Sequence, residues 1–171
     1  MVRATSKNIK DLDHIISLVK DAETGQRGYL LSGDARFLEP YTRAKAKIDD
    51  AITDLSVQLT KTGGQTQNME KLRNSIDTRI AILDRNLNYK RGNNPVSPEQ
   101  LLEGKKYMDE IRTMVSIMQS AEKDVLAART DNMNKFASYT PLLIILSAIL
   151  AITITLVFFR KVNQDFMETS R

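Results

Sequence analysis

The residue types best able to do chemistry in this chain gather in one short run. Glu23 and Arg27 stand four positions apart, so on a helix they share a face and can form a charge-assisted pair. Asp21, Thr24 and Gln26 extend the polar set over neighbouring positions. Carboxylate, guanidinium, hydroxyl and amide groups in that arrangement can do one of three things: hold a small polar molecule, knit a network that fixes helix register, or face solvent. A reaction centre would need a nucleophile beside a base, a metal-ligand cluster or a phosphate-cradling glycine loop, and none is present in the sequence. We therefore expect no catalytic residue, no cofactor, no metal and no enzyme activity. The single histidine, His14, sits beside Asp11 and Asp13 and reads as a surface residue. With 0 cysteines there is no disulfide framework, thiol nucleophile or thiolate metal site. The pairs Asp49-Asp50 and Asp109-Glu110 read as solvated helix faces.

The elements that must position the polar run are helices. Ile9, Leu12, Ile16 and Val19 recur with 3-4-3 spacing from Ser6 onward, which keeps them on one face. Ile15, Ala22 and Tyr29 run alongside and widen it. The same seam continues through Glu23, Gln26 and Leu30, so polar side chains fall where core positions are expected. A buried charge needs a partner, and Arg27 is expected to be the residue whose loss matters most, at about 1 to 4 kcal/mol. Gly25 and Gly28 each cost about 1 kcal/mol of helix propensity, which a close backbone approach would explain.

Three further helices follow. Gly33 suits a left-handed exit near Leu31 and Asp34 can cap a short turn over Ala35 to Leu38, with a second helix regular from Glu39 or Pro40. Its apolar face is Tyr41, Ala44, Ile48, Ala51, Leu55 and Leu59. The pair Gly63-Gly64 breaks the helix, and Thr66 is expected to cap a third one over about Gln67 to Lys90, with Met69, Leu72, Ile76, Ile80, Leu83 and Leu87 inward. Ser97-Pro98-Glu99-Gln100 has the form of a capping box with proline at the first helical position. The fourth helix presents Leu101, Met108, Ile111, Val115, Met118 and Val125, and no glycine or proline interrupts Lys105 to Thr140. The first three helices are each about 40 Å long while Pro98 to Thr140 exceeds about 60 Å, so the end of the fourth projects as a stalk.

Pro141 to Phe159 carries no charge and is about 28 Å long as a helix, which matches the hydrocarbon thickness of a bilayer. The hydroxyls of Ser147, Thr153 and Thr155 can return to the preceding turn. Arg160 and Lys161 follow directly, against Lys135 alone on the Tyr139 side, and this basic bias predicts a cytoplasmic C-terminus. Residues 1–140 are then extracytoplasmic, on a cytoplasmic (inner) membrane. MVRATSKNIK has no apolar signal region, so we expect a first span or signal anchor upstream, with Met1 as an added start. The expected fold is all-α: an antiparallel up-down-up-down four-helix bundle whose fourth helix extends through a stalk into a transmembrane helix. The expected division is residues 1–125 for the bundle, 126–140 for the stalk, 141–159 for the span and 160–171 for the start of a cytoplasmic linker. The whole chain has a net charge of +4, and charges of both signs alternate through its first 140 residues, which excludes a nucleic-acid partner.

The run from Asp21 to Asp34, DAETGQRGYLLSGD, followed by Phe37-Leu38-Glu39-Pro40-Tyr41, closely resembles the signature of the CHASE3 family of extracellular sensory domains. The resemblance implies a four-helix input domain between two transmembrane helices over roughly residues 6 to 140, joined in family members to cytoplasmic output modules, commonly of histidine kinases. It implies no general ligand. The first span and the output module of such proteins are not in this sequence. The expected function is the sensory input of a transmembrane receptor, a sensor histidine kinase, signalling by displacement of helix four. Alternatives are a chemotaxis-receptor ligand-binding domain or a membrane-anchored protein-interaction adaptor. Expected partners are a second copy in a homodimer, membrane lipid, and an unknown small ligand or periplasmic protein. Asp21, Glu23, Thr24, Gln26 and Arg27 form the expected polar layer, Gly25, Gly28 and Gly33 the close-packing or turn glycines, and Tyr139, Pro141, Arg160 and Lys161 the transmission segment.

Overall fold

The computed structural model describes the backbone of residues 2–62 and 64–169; side chains 2, 62, 129, 131–138 and 162–169 are not described. The expected roles of Met1 and Gly63 lie outside the described residues. Four helices, α1 (Val2–Ser32), α2 (Glu39–Thr62), α3 (Thr66–Arg91) and α4 (Pro98–Thr169), follow one another, with a 3-10 turn at Ala35–Leu38 between the first two. There is no strand among the described residues. The chain divides into two units, Met1–Leu126 and Ala127–Arg171.

The turns follow from local chemistry. Gly33 takes a positive φ of 71° and donates its N–H to the Tyr29 carbonyl at 2.8 Å, closing α1. Asp34 caps the 3-10 turn, its Oδ1 accepting the Arg36 N–H at 2.9 Å. Pro40 sits in the first turn of α2, where its missing N–H removes no intrahelical bond. At the start of α4 the Ser97 N–H donates to Gln100 Oε1 at 2.8 Å and the Gln100 N–H to Ser97 Oγ at 3.3 Å, the reciprocal pair of a capping box. The expected Thr66 cap is corrected: α3 is preceded by Gln65 in the left-handed region, with no side-chain cap. The Gln65 amide is drawn across the bundle instead, donating to the Met118 carbonyl at 3.1 Å and to Glu122 at 2.9 Å. Asn8 of α1 donates to the other oxygen of the same carboxylate, which fastens α1, α3 and α4 at one end of the bundle.

Leu12, Ile15, Val19 and Ala22 of α1 are fully buried, whereas Ile9 and Ile16 are only half-buried, so the core-facing seam is turned slightly from the expected one. Tyr41, Ala44, Ile48, Ile52, Leu55 and Leu59 of α2 and Met69, Leu72, Ile76, Leu83 and Leu87 of α3 face it. From α4 the buried positions are Gly104, Met108, Ile111, Val115, Met118 and Glu122 at 4-3-4-3-4 spacing. Leu101 and Val125 continue that spacing at its two ends and are exposed there.

Gly25 lies where α1 meets the start of α2. A Cβ there would stand 2.7 Å from the backbone N of Tyr41, which cannot yield without moving a helix. At Gly28 the obstacle is the Phe37 ring, a half-exposed side chain with room to turn. Gly25→Ala is therefore expected to destabilise by about 1 to 3 kcal/mol despite the gain in helix propensity, and Gly28→Ala by clearly less. Urea unfolding of both variants measures the order, and a larger loss at Gly28 would contradict this packing.

Within the second unit, Tyr139–Lys161 forms a helical stretch of 23 residues with mean hydropathy 2.9, long and apolar enough to cross a membrane. Ser147, Thr153 and Thr155 donate to the carbonyls of Ile144, Leu150 and Ala151 at 2.8, 2.8 and 2.9 Å, so each of these three hydroxyls has an acceptor within the helix. Pro141 lies inside the helix, and Tyr139, Arg160 and Lys161 flank the apolar stretch.

Candidate functional site

One face of α3 carries the chemistry. Ser75, Arg79, Ile82 and Asn86 recur at 4-3-4 spacing and are all buried, a second stripe beside the apolar one. Arg79 crosses the bundle to α1, where its Nη2 lies 3.5 Å from Glu23 Oε1. The same oxygen receives Arg27 Nη2 at 2.6 Å. The two guanidiniums differ in surroundings: the Arg79 side chain is 5% exposed and the Arg27 side chain 69%. Burial pushes the Arg79 guanidinium down from its ordinary value, and the neighbouring Glu23 carboxylate opposes that shift. Space for Arg79 comes from Gly104 of α4, where an added Cβ would fall 2.5 Å from Arg79 Nη1. Gln26 extends the layer by donating its amide to the Leu83 carbonyl at 2.7 Å.

A second polar link joins α2 to α3. The Tyr41 hydroxyl donates to Asp84 Oδ1, and Lys45 Nζ donates to both oxygens of Asp84 at 2.8 and 2.9 Å. Burial pushes the Tyr41 phenol up to about 12, with the Asp84 carboxylate adding to the shift, while the Asp84 hydrogen bond raises the Lys45 ammonium.

Of the five expected polar-layer residues, Glu23 and Gln26 are buried together, while Asp21, Thr24 and Arg27 are exposed. Arg27, expected to be the residue whose loss matters most, is mostly exposed, and the buried cation is Arg79. The carboxylate turns inward to Arg79, and Arg27 closes over it from the solvent side. Arg79, Asp84 and Gly104 were not foreseen. The available signal was the 4-3-4 recurrence of Ser75, Arg79, Ile82 and Asn86, which an apolar criterion passes over. Outside the layer, α1 and α4 border a groove of about 320 Å³, with Lys20, Glu23 and Arg27 on one wall and Lys105, Met108 and Arg112 on the other. Thr24 lines the same groove. No group of three or more metal-ligating side chains occurs among the described residues.

The model of the CHASE3 domain matches residues 1–132. The chain belongs to the CHASE3 domain family. The fold agrees with a solved sensor domain, that of histidine kinase HK9 from Rhodopseudomonas palustris. The two share 25% sequence identity at a TM-score of 0.60, over 72% of this chain and 98% of the other. No curated protein sequence matches the chain significantly. This CHASE3 domain is thus an all-helical sensory domain, and the stretch at Tyr139–Lys161, long and apolar enough to cross a membrane, supports membrane association.

Proposed function

We propose that this CHASE3 domain is the input module of a transmembrane receptor, a sensor histidine kinase, in which displacement of α4 carries the signal across the cytoplasmic membrane. The observation that carries the reading is the continuity of α4. One helix contains the groove residues Lys105, Met108 and Arg112 and also the apolar stretch Tyr139–Lys161. A shift, rotation or tilt imposed at the groove then needs no chemistry to reach the far side. In this reading residues 1–125 sense, 126–140 form a stalk, 141–159 span the bilayer and 160–171 enter the cytoplasm. Two copies pair symmetrically, because a two-fold dimer lets each fourth helix report relative to its partner.

The orientation follows from Arg160 and Lys161 beyond the apolar stretch. The chain contains 0 cysteines, so single cysteines at Asp124 and Gln164 can be labelled cleanly. In intact cells expressing the receptor, a membrane-impermeant maleimide, with outer-membrane passage ensured, is expected to label the cysteine at 124 and to reach 164 only after lysis. Labelling of both positions from the same side would overturn the reading.

A further inference from the structure

We propose that the α1–α4 groove binds a small organic anion carrying two or more carboxylates, and that the anion bridges the two helices. The inference rests on reading the chain as a sensory input module, and it adds the chemical class of the ligand. Four cations line the groove, Lys20 and Arg27 from α1 and Lys105 and Arg112 from α4. Two carboxylates stand against them. Glu23 is held between Arg27 and the buried Arg79, so the floor of the groove carries no free negative charge. Asp109 pairs with Lys105 at 2.5 Å and with Arg112 at 3.0 Å, one carboxylate shared between two cations. Lys20 has no ion-pair partner among the described residues. With Arg79 behind the floor, positive charge is left in excess in the concavity.

Shape and charge placement narrow the ligand. A groove of about 320 Å³ has room for a compact di- or tricarboxylate and is at the small end of ligand pockets. Guanidiniums on both walls suit carboxylate oxygens through two parallel N–H···O bonds. Cations divided between two helices favour a molecule with separated charges over one compact ion, since only the former can satisfy both walls. Met108 supplies an apolar contact for the carbon skeleton between them.

The test is calorimetric titration of the full chain in uncharged detergent micelles with succinate, citrate, acetate and inorganic phosphate at constant ionic strength. Succinate or citrate is expected to bind saturably, at least about tenfold more tightly than acetate or phosphate. Lys20→Gln and Arg112→Gln, one on each wall, are each expected to weaken that binding about tenfold or more with the far-UV circular dichroism unchanged. Lys47→Gln, away from the groove, is expected to leave it within about twofold. Three results overturn the proposal: neither polycarboxylate saturating below about 10 mM, acetate or phosphate equalling them, or both wall variants binding like the parent. Binding is read without any output. A receptor that binds but does not transmit would therefore fail the function proposed above and leave this inference standing, and the reverse holds equally.

Discussion

Arg79→Ala is expected to destabilise the bundle by about 3 kcal/mol, several times the effect of Arg27→Ala. Removing Arg79 takes away the inward partner of Glu23, whose side chain is only 12% exposed, and leaves that carboxylate with the solvent-side Arg27 alone. It also leaves unfilled space beneath Gly104 and against Ile82, which adds a cavity cost. Arg27→Ala removes a cation that already stands mostly in water, where an ion pair contributes about 0.2 to 1 kcal/mol. Urea unfolding of the 1–126 unit, followed by circular dichroism, compares the two. Pairing Arg79→Met with Glu23→Gln separates charge from packing: the double variant is expected to recover at least about half of the loss, because no buried carboxylate then lacks its partner. If Arg27→Ala costs as much as Arg79→Ala, the layer is organised around the outer guanidinium and this account fails.

Two glycines inserted between Ala127 and Ala128 are expected to abolish the response of the receptor to its stimulus while leaving the 1–126 unit folded. The insertion turns everything downstream by about 200° about the helix axis and lengthens α4 by about 3 Å. It also lowers local helix stability by about 2 kcal/mol. Among the described residues of α4 none beyond Glu122 is buried, so the core is untouched. Output activity with and without stimulus is the measurement, alongside spin-label distances between the fourth helices of a pair. A folded insertion variant with a normal response and unchanged distances would reject transmission through α4 and favour a membrane-anchored adaptor that binds a partner protein.

The span, the caps and the helical phases were legible because each is a local property. The charge-free run from Pro141 to Phe159 and the capping box at Ser97–Gln100 need only neighbouring residues to be recognised, and the 3-10 turn after Gly33 follows from a positive φ and an aspartate cap. Gly25 and Gly28 signalled a close approach by their cost in a helix, although not what approaches; the position of α2 decides that it is backbone at one and a movable ring at the other. The partner of Glu23 was a different kind of question. Arg27 is four residues away and Arg79 is fifty-six, and helix spacing ranks only the first. The rotation of α3 about its own axis turns a stripe of mixed polarity toward α1 and α4, and Gly104, fixed on α4, leaves room for a guanidinium to cross. A helix periodicity determines which residues share a face. Which face is buried against which neighbour depends on packing among all four helices, and only the tertiary structure decides it.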